Sequence, residues 1–196
     1  MERAIYKPLA FRKLKAGAGY HQPSTYKPVQ ADSPAIEVMT DLQRVSAATT
    51  TADVPLAQAT QTMVARSVRL LLVVNAVNEI VGLITARDTM GDRPIKYIQE
   101  NRVKHGDLKV RDVMTPIENI EVLSMNEVLR AEVGHIVATL KSVGRQHAMV
   151  VDTDAAGGEQ IRGIFSISQI GRQLGMPLQT FEVAKTFAEI EAMLTA

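Results

Sequence analysis

A chain of 196 residues, 46% hydrophobic and 22% charged, has a globular composition and room for one substantial core or two small ones. Its apolar runs are strand-length, its N-terminus holds no apolar core of signal-peptide length, and it has no cysteine. These features exclude a membrane-spanning helix, disulfides, thiolate zinc sites and a cysteine nucleophile, and they lead us to expect a cytoplasmic protein. The net charge of +1 conceals an asymmetry, because residues 1–34 hold six basic side chains and two acidic ones (+4), leaving −3 for the other 162.

Residues 1–34 read as an irregular basic arm, with Pro8, Pro23, Pro28, Pro34, Gly17 and Gly19 and no helical or alternating period. Tyr6, Phe11, Tyr20 and Tyr26, half of the aromatic residues, are interleaved there with basic ones. Such a segment can dock on a protein partner or on RNA, or fold back over its own body. Six basic residues make a small nucleic-acid footprint, which favours the last. The arm's lack of core-forming period leads to the expectation that deleting residues 1–33 leaves the fold intact.

From Ala35 the pattern becomes regular. A short strand is predicted over 43–50, then a helix from Asp53 as N-cap, with Pro55 in its first turn and Leu56, Ala59, Met63 and Val64 on one face. Strands at 69–74 and 80–84 flank a turn at 75–78, and a second helix starts at Thr85 or Ala86. A linker helix over 94–104 stops near Gly106. The second half repeats the order: a strand at 119–123, a helix face of Leu129, Val133, Ile136, Val137 and Leu140 interrupted by Gly134, strands at 147–151 and 161–165 around a glycine-containing loop, and a helix from Ser166 to near Gly175. After Pro177, Thr180 can cap an amphipathic helix with Phe181, Ala184, Phe187, Ile190 and Leu194 on one side. The expected divisions are an arm (1–34), a first unit (35–105), a second unit (106–175) and a C-terminal helix (176–196). Each unit is β-α-β-β-α, so the fold class is mixed α/β with two small sheets packed together.

Three landmarks occur twice in the same order. Val38-Met39-Thr40, the strand ending Val73-Val74-Asn75, and Gly82-x-x-Thr85-x-x-Asp88 are matched by Val113-Met114-Thr115, the strand ending Val150-Val151-Asp152, and Gly163-x-x-Ser166-x-x-Gln169. The last landmark lies where a strand hands over to a helix. A glycine such as Gly82 would let a ligand approach the backbone, and Thr85 at a helix N-terminus offers a hydroxyl and N–H groups to a phosphate. Asp88 can accept hydrogen bonds from two ribose hydroxyls, and Arg69 on the paired strand can supply a cation. The same residues also make a capping box, Thr85-x-x-Asp88 and Ser166-x-x-Gln169, which needs no ligand. Both readings stand on residue types alone, except that Gln169 lacks the charge for a ribose. The four histidines show no metal-ligand spacing, so no metal is expected, and His147 reads equally as an interior histidine or a phosphate contact.

The doubled pattern resembles a pair of cystathionine-β-synthase (CBS) domains, the tandem called a Bateman module, over about residues 35–175. The resemblance implies a non-enzymatic regulatory module that binds an adenine nucleotide (AMP, ADP or ATP, with S-adenosylmethionine less favoured) between its domains, as in energy sensing. It places ribose on Asp88, phosphate on Thr85 and basic groups at the positions of Arg69 and His147. Gln169 departs from the pattern, so the second cleft is expected to be empty or weak. A homodimer paired through helical faces and an unidentified protein partner are expected, with no membrane. The alternatives are a ligand-free dimerisation scaffold and an RNA-associated protein acting through the arm.

Overall fold

The computed structural model describes residues 9–19, 29–154 and 157–175. The predicted C-terminal helix and half of the arm, including both Tyr-Lys-Pro repeats, lie outside them.

The elements are β1 (Thr40–Asp41), β2 (Thr49–Thr50), α1 (Leu56–Ala65), β3 (Leu70–Val74), β4 (Ile80–Thr85), α2 (Ala86–Met90) and α3 (Asp92–Asn101) in the first half. The second half supplies α4 (Val110–Val113), β5 (Thr115–Pro116), β6 (Val122–Ser124), α5 (Met125–Val128), α6 (Val133–Ser142), β7 (His147–Thr153), β8 (Glu159–Ser166) and α7 (Ile167–Gln173). They form two four-stranded sheets, β2-β3-β4-β5 and β1-β8-β7-β6, so the mixed α/β class and the two-sheet repeat are as expected.

Each Met-Thr segment joins the sheet of the other half. Thr40 and Asp41 pair with Ile164 and Gly163, while Thr115 and Pro116 pair with Leu83 and Gly82. Burial follows the exchange. Ala35, Val38 and Met39 sit in a core with Phe165, Ile136 and Leu140, and Leu108, Val110 and Val113 sit with Leu71, Ile84 and Met63. Neither sheet is complete without a strand from across the chain. A third cluster, Leu70, Leu72 and Met149, lies where the sheets meet, and its Leu70 and Met149 line the cleft described below.

Several sequence expectations are corrected. Only Thr49–Thr50 of the strand predicted over 43–50 is extended, because Asp41 turns the chain by accepting from the Gln43 N–H through Oδ1 and from Arg44 and Val45 through its carbonyl. Helix α1 begins after Pro55 without a side-chain cap, and Asp53 instead pairs with Arg111 at 2.7 Å and Lys109 at 3.3 Å. Val64 is 75% exposed and outside the core. The linker helix is Asp92–Asn101, ended by Arg102 in the left-handed region (φ 54°). The strand predicted at 119–123 is displaced to Val122–Ser124. The helix predicted through Leu129 is two helices with Leu129 exposed between them.

The arm is also not wholly separate. The carbonyls of Ala31 and Ser33 accept from Gly134 N–H (2.8 Å) and Val133 N–H (2.9 Å), satisfying donors at the open start of α6. A Cβ on Gly134 would stand 3.2 Å from the Ala31 carbonyl oxygen, which explains a glycine inside a helix. Val29 packs on the same core. Deletion through residue 33 would therefore strip α6 of two partners and is expected to cost stability, contrary to the expectation from composition.

Candidate functional site

A cleft of about 1450 Å³ opens between the sheets. Thr85, Asp88 and Arg93 line one wall, and Arg145 and His147 the other, while Met114, Thr115, Pro116 and Ile120 form an apolar and backbone-rich flank. This is room for a nucleotide-sized molecule, with a polar end and an apolar end.

Thr85 and Asp88 arrive together because β4 ends where α2 begins. The Asp88 carboxylate accepts from Thr85 N–H (2.8 Å) and Thr85 Oγ1 (2.7 Å) through one oxygen, Oδ2, and Asp88 N–H donates back to Thr85 Oγ1 at 3.4 Å. The capping box is thus real. It fixes the carboxylate in place and leaves Oδ1 directed elsewhere, onto Arg93 at 3.1 Å. Helix α2 has only five residues, so its dipole adds little to phosphate binding and the Thr85 hydroxyl and nearby cations matter more.

His147, the first residue of β7, lines the opposite wall. Its pKa falls below the usual 6.5 to about 4, chiefly through burial, then through the positive charge of Arg69, with Asp88 opposing. Arg69, itself exposed, accepts Ala86 N–H at its carbonyl (2.9 Å) and so holds the β4–α2 junction against β3. His147, from the second half, is thus within electrostatic reach of Arg69 and of Asp88 from the first, although Arg69 is not among the residues that line the cleft. At neutral pH the imidazole is uncharged in the free protein, not the cation that a phosphate contact would use.

The depressed pKa has a testable consequence. Between pH 6.5 and 4 the unfolded chain carries the proton on His147 and the folded chain does not, so this group favours unfolding increasingly as pH falls through that window. Relative to His147→Gln, the wild type is expected to lose on the order of 2–3 kcal/mol more stability from pH 7 to pH 4 in denaturant melts. Parallel profiles would show that the imidazole is not desolvated.

Gly82 does not face the cleft. It is buried within β4, paired with Val73 and Pro116, and a Cβ there would stand 2.7 Å from the Thr115 carbonyl oxygen and 3.0 Å from Met114 Sδ. Its partner in the repeat, Gly163, faces Met39 Sδ and Cγ in the same way. The two glycines admit the exchanged Met-Thr segments, not a ligand.

The second copy of the motif is built differently. Ser166 makes no side-chain cap; its hydroxyl meets Ser168 Oγ at 3.1 Å. Gln169 does not cap either, because its longer side chain reaches Thr40 Oγ1, which donates to Oε1 at 3.2 Å. Asp41, next in the chain to Thr40, forms a close, largely buried ion pair with Arg162. Thr40 and Gln169, Ser166 and Ser168, and Asp41 and Arg162 are thus each engaged with the other.

The sequence reading missed Arg93, Arg145 and the Met114–Pro116 wall as site components. The repeated Met-Thr was visible, but the exchange that carries it across the chain was not. Among the described residues no group of three His, Asp or Glu side chains is placed to hold a metal ion, and no helix is long and apolar enough to cross a membrane.

No family model and no curated protein matches the sequence. Solved structures do match. An uncharacterized conserved protein from Pyrococcus horikoshii superposes with a TM-score of 0.54 at 19% identity, over 78% of this chain and 99% of its own. A CBS domain pair solved with 5′-methylthioadenosine and S-adenosyl-L-methionine matches with a TM-score of 0.50 at 16% identity, over 73% and 96%. CBSX2, solved in complex with AMP, matches with a TM-score of 0.50 at 19% identity, over 71% and 94%. The chain has the fold of a tandem CBS-domain pair. The two motifs of the repeat are unequal, since the position of Asp88 in the first is held by Gln169 in the second.

Proposed function

We propose that this CBS pair is a non-enzymatic cytoplasmic regulatory module that binds one adenine nucleotide per chain in the Asp88 cleft. The observation that carries the reading is the convergence of a fixed, buried carboxylate, a hydroxyl and a histidine from the opposite sheet around one nucleotide-sized space. In it, Asp88 takes the ribose hydroxyls through charge-assisted bonds, Thr85 and His147 meet the phosphate with Arg69 nearby, and the base lies against Met114–Pro116 and Ile120. An anionic phosphate beside His147 would favour its protonation, so binding of phosphorylated ligands is expected to be linked to pH. The neighbours' AMP and S-adenosyl-L-methionine make AMP, ADP, ATP and S-adenosylmethionine the panel to try. A ligand that binds the native state raises the melting temperature by mass action, and adenine nucleotides are expected to do so where guanine nucleotides do not. No shift with any adenine compound would sink the reading.

Occupancy would be passed to a partner as a shift in population between arrangements of the two units, as an energy signal if AMP and ATP compete. The body is proposed to pair as a homodimer through the packed helices α1 and α2, where Val64 is 75% and Met90 74% exposed. Light scattering is expected to give twice the chain mass, reduced to the monomer by Val64→Lys with Met90→Lys; a monomeric wild type at micromolar concentration would refute it.

A second reading, recruitment of a protein partner by the arm, is favoured by Leu9, Phe11 and Leu14, all exposed beside Arg12, Lys13 and Lys15.

A further inference from the structure

Asp88 is not idle in the free protein. Arg93, near the start of α3, sets one guanidinium nitrogen, Nη1, 3.1 Å from Asp88 Oδ1, 3.1 Å from Thr115 Oγ1 and 3.2 Å from the Val113 carbonyl oxygen. One nitrogen thus ties the carboxylate of the first half to the Met-Thr segment of the second. Both α3 and the Val113–Thr115 segment are cleft walls, so the guanidinium stands in the space a ligand must enter to reach Oδ1. The Asp88 side chain is 11% exposed and that of Arg93 54%, so the carboxylate is fixed while the arginine has solvent to swing into.

The second half supplies an internal comparison. There the residue matching Asp88 is Gln169, and it meets the matching threonine, Thr40, directly. At the offset of Arg93 from its motif stands Leu174. The arginine is therefore needed only where the motif residue is an anion. The Val113 carbonyl has nothing to donate to an anion, and the guanidinium supplies donors to it, to Asp88 and to the Thr115 hydroxyl, which accepts here.

We propose that Arg93 is a displaceable latch: it holds the ribose-binding carboxylate in the empty cleft, must leave Asp88 Oδ1 for a ribose to bind, and on leaving frees Val113–Thr115. Arg93 then sets affinity by competition and gives occupancy a mechanical consequence, since Thr115, the last residue of the released segment, begins the strand that completes the first sheet. The inference rests on the ribose assignment made above and adds a residue that the repeat pattern does not contain.

The test uses adenosine, which has no phosphate to attract the arginine. Calorimetric titration of the full chain compares wild type, Arg93→Ala, Arg93→Lys and Asp88→Asn, with hydrogen exchange of residues 113–115 followed in the free proteins. The latch predicts that Arg93→Ala binds adenosine about three- to tenfold more tightly, as expected for losing a partly exposed competing ion pair. Arg93→Lys keeps the charge but places it on a more strongly hydrated ammonium with a different reach, and falls between. Exchange at 113–115 rises in Arg93→Ala and, in the wild type, on adding adenosine. Unchanged or weaker adenosine binding by Arg93→Ala overturns the latch while leaving the ribose assignment standing, provided Asp88→Asn weakens binding. If Asp88→Asn binds as well as wild type, or no variant binds adenosine, the functional reading itself fails. In that case exchange decides the remaining claim, and unchanged protection at 113–115 in Arg93→Ala removes it too.

Discussion

Asp88→Ala is expected to weaken adenine-nucleotide binding by roughly 1.5–3 kcal/mol, the cost of removing a charged acceptor for hydroxyls. It should also lower stability by about 0.5–2 kcal/mol, because the same carboxylate accepts from Thr85 N–H and Thr85 Oγ1 at the start of α2. The two losses come apart in Asp88→Asn. An amide keeps an oxygen for the cap and approximates the volume, so most of the stability should return while the affinity loss remains. Chemical denaturation and calorimetry on the same samples check this. An affinity that recovers with the cap would mean that the residue serves the helix alone.

Gly82→Ala is expected to destabilise the chain by about 1–3 kcal/mol, the usual cost of forcing a methyl into a filled core. The obstacle is backbone: the Thr115 carbonyl oxygen would lie 2.7 Å from the new Cβ, so β5 must lift from β4. The three atoms nearest a Cβ on Gly163 all belong to the Met39 side chain, which can turn aside, so Gly163→Ala should cost less. Because Met114 and Thr115 line the cleft, Gly82→Ala should weaken ligand binding as well, without touching a ligand itself. Equal denaturation midpoints for wild type and Gly82→Ala would show that the exchanged strand is not seated as described.

The repeat was legible because strands of consecutive apolar residues, Leu70–Val74 and the core of β7, can only be buried between layers, and two copies in one order imply two matched layers. The Thr85-x-x-Asp88 box was legible because capping is local in sequence. What could not be read lies between residues far apart. The glycines look like ligand-approach positions until the Met-Thr segments are seen crossing to the other sheet. Asp53 looks like an N-cap until Lys109 and Arg111 arrive from the far side of the linker. Gln169 keeps the letter of a capping box, yet its length carries it to Thr40 instead. Arg93 has no motif at all, since its partners Val113 and Thr115 are 20 and 22 residues away and meet it only through the turn after α3. Gly134 and residues 29–33 explain each other only once the arm is docked on α6.

One motif ends in an anion, Asp88, and the other in a neutral amide, Gln169, so one binding site per chain is expected. Calorimetric titration of the full chain with AMP and with ATP, repeated on Asp88→Asn and Gln169→Asp, tests it most directly. The account predicts one site per chain in the wild type, that site lost or weakened at least tenfold in Asp88→Asn, and no loss of it in Gln169→Asp. Two equivalent sites per chain, or a single site indifferent to Asp88→Asn, would contradict it.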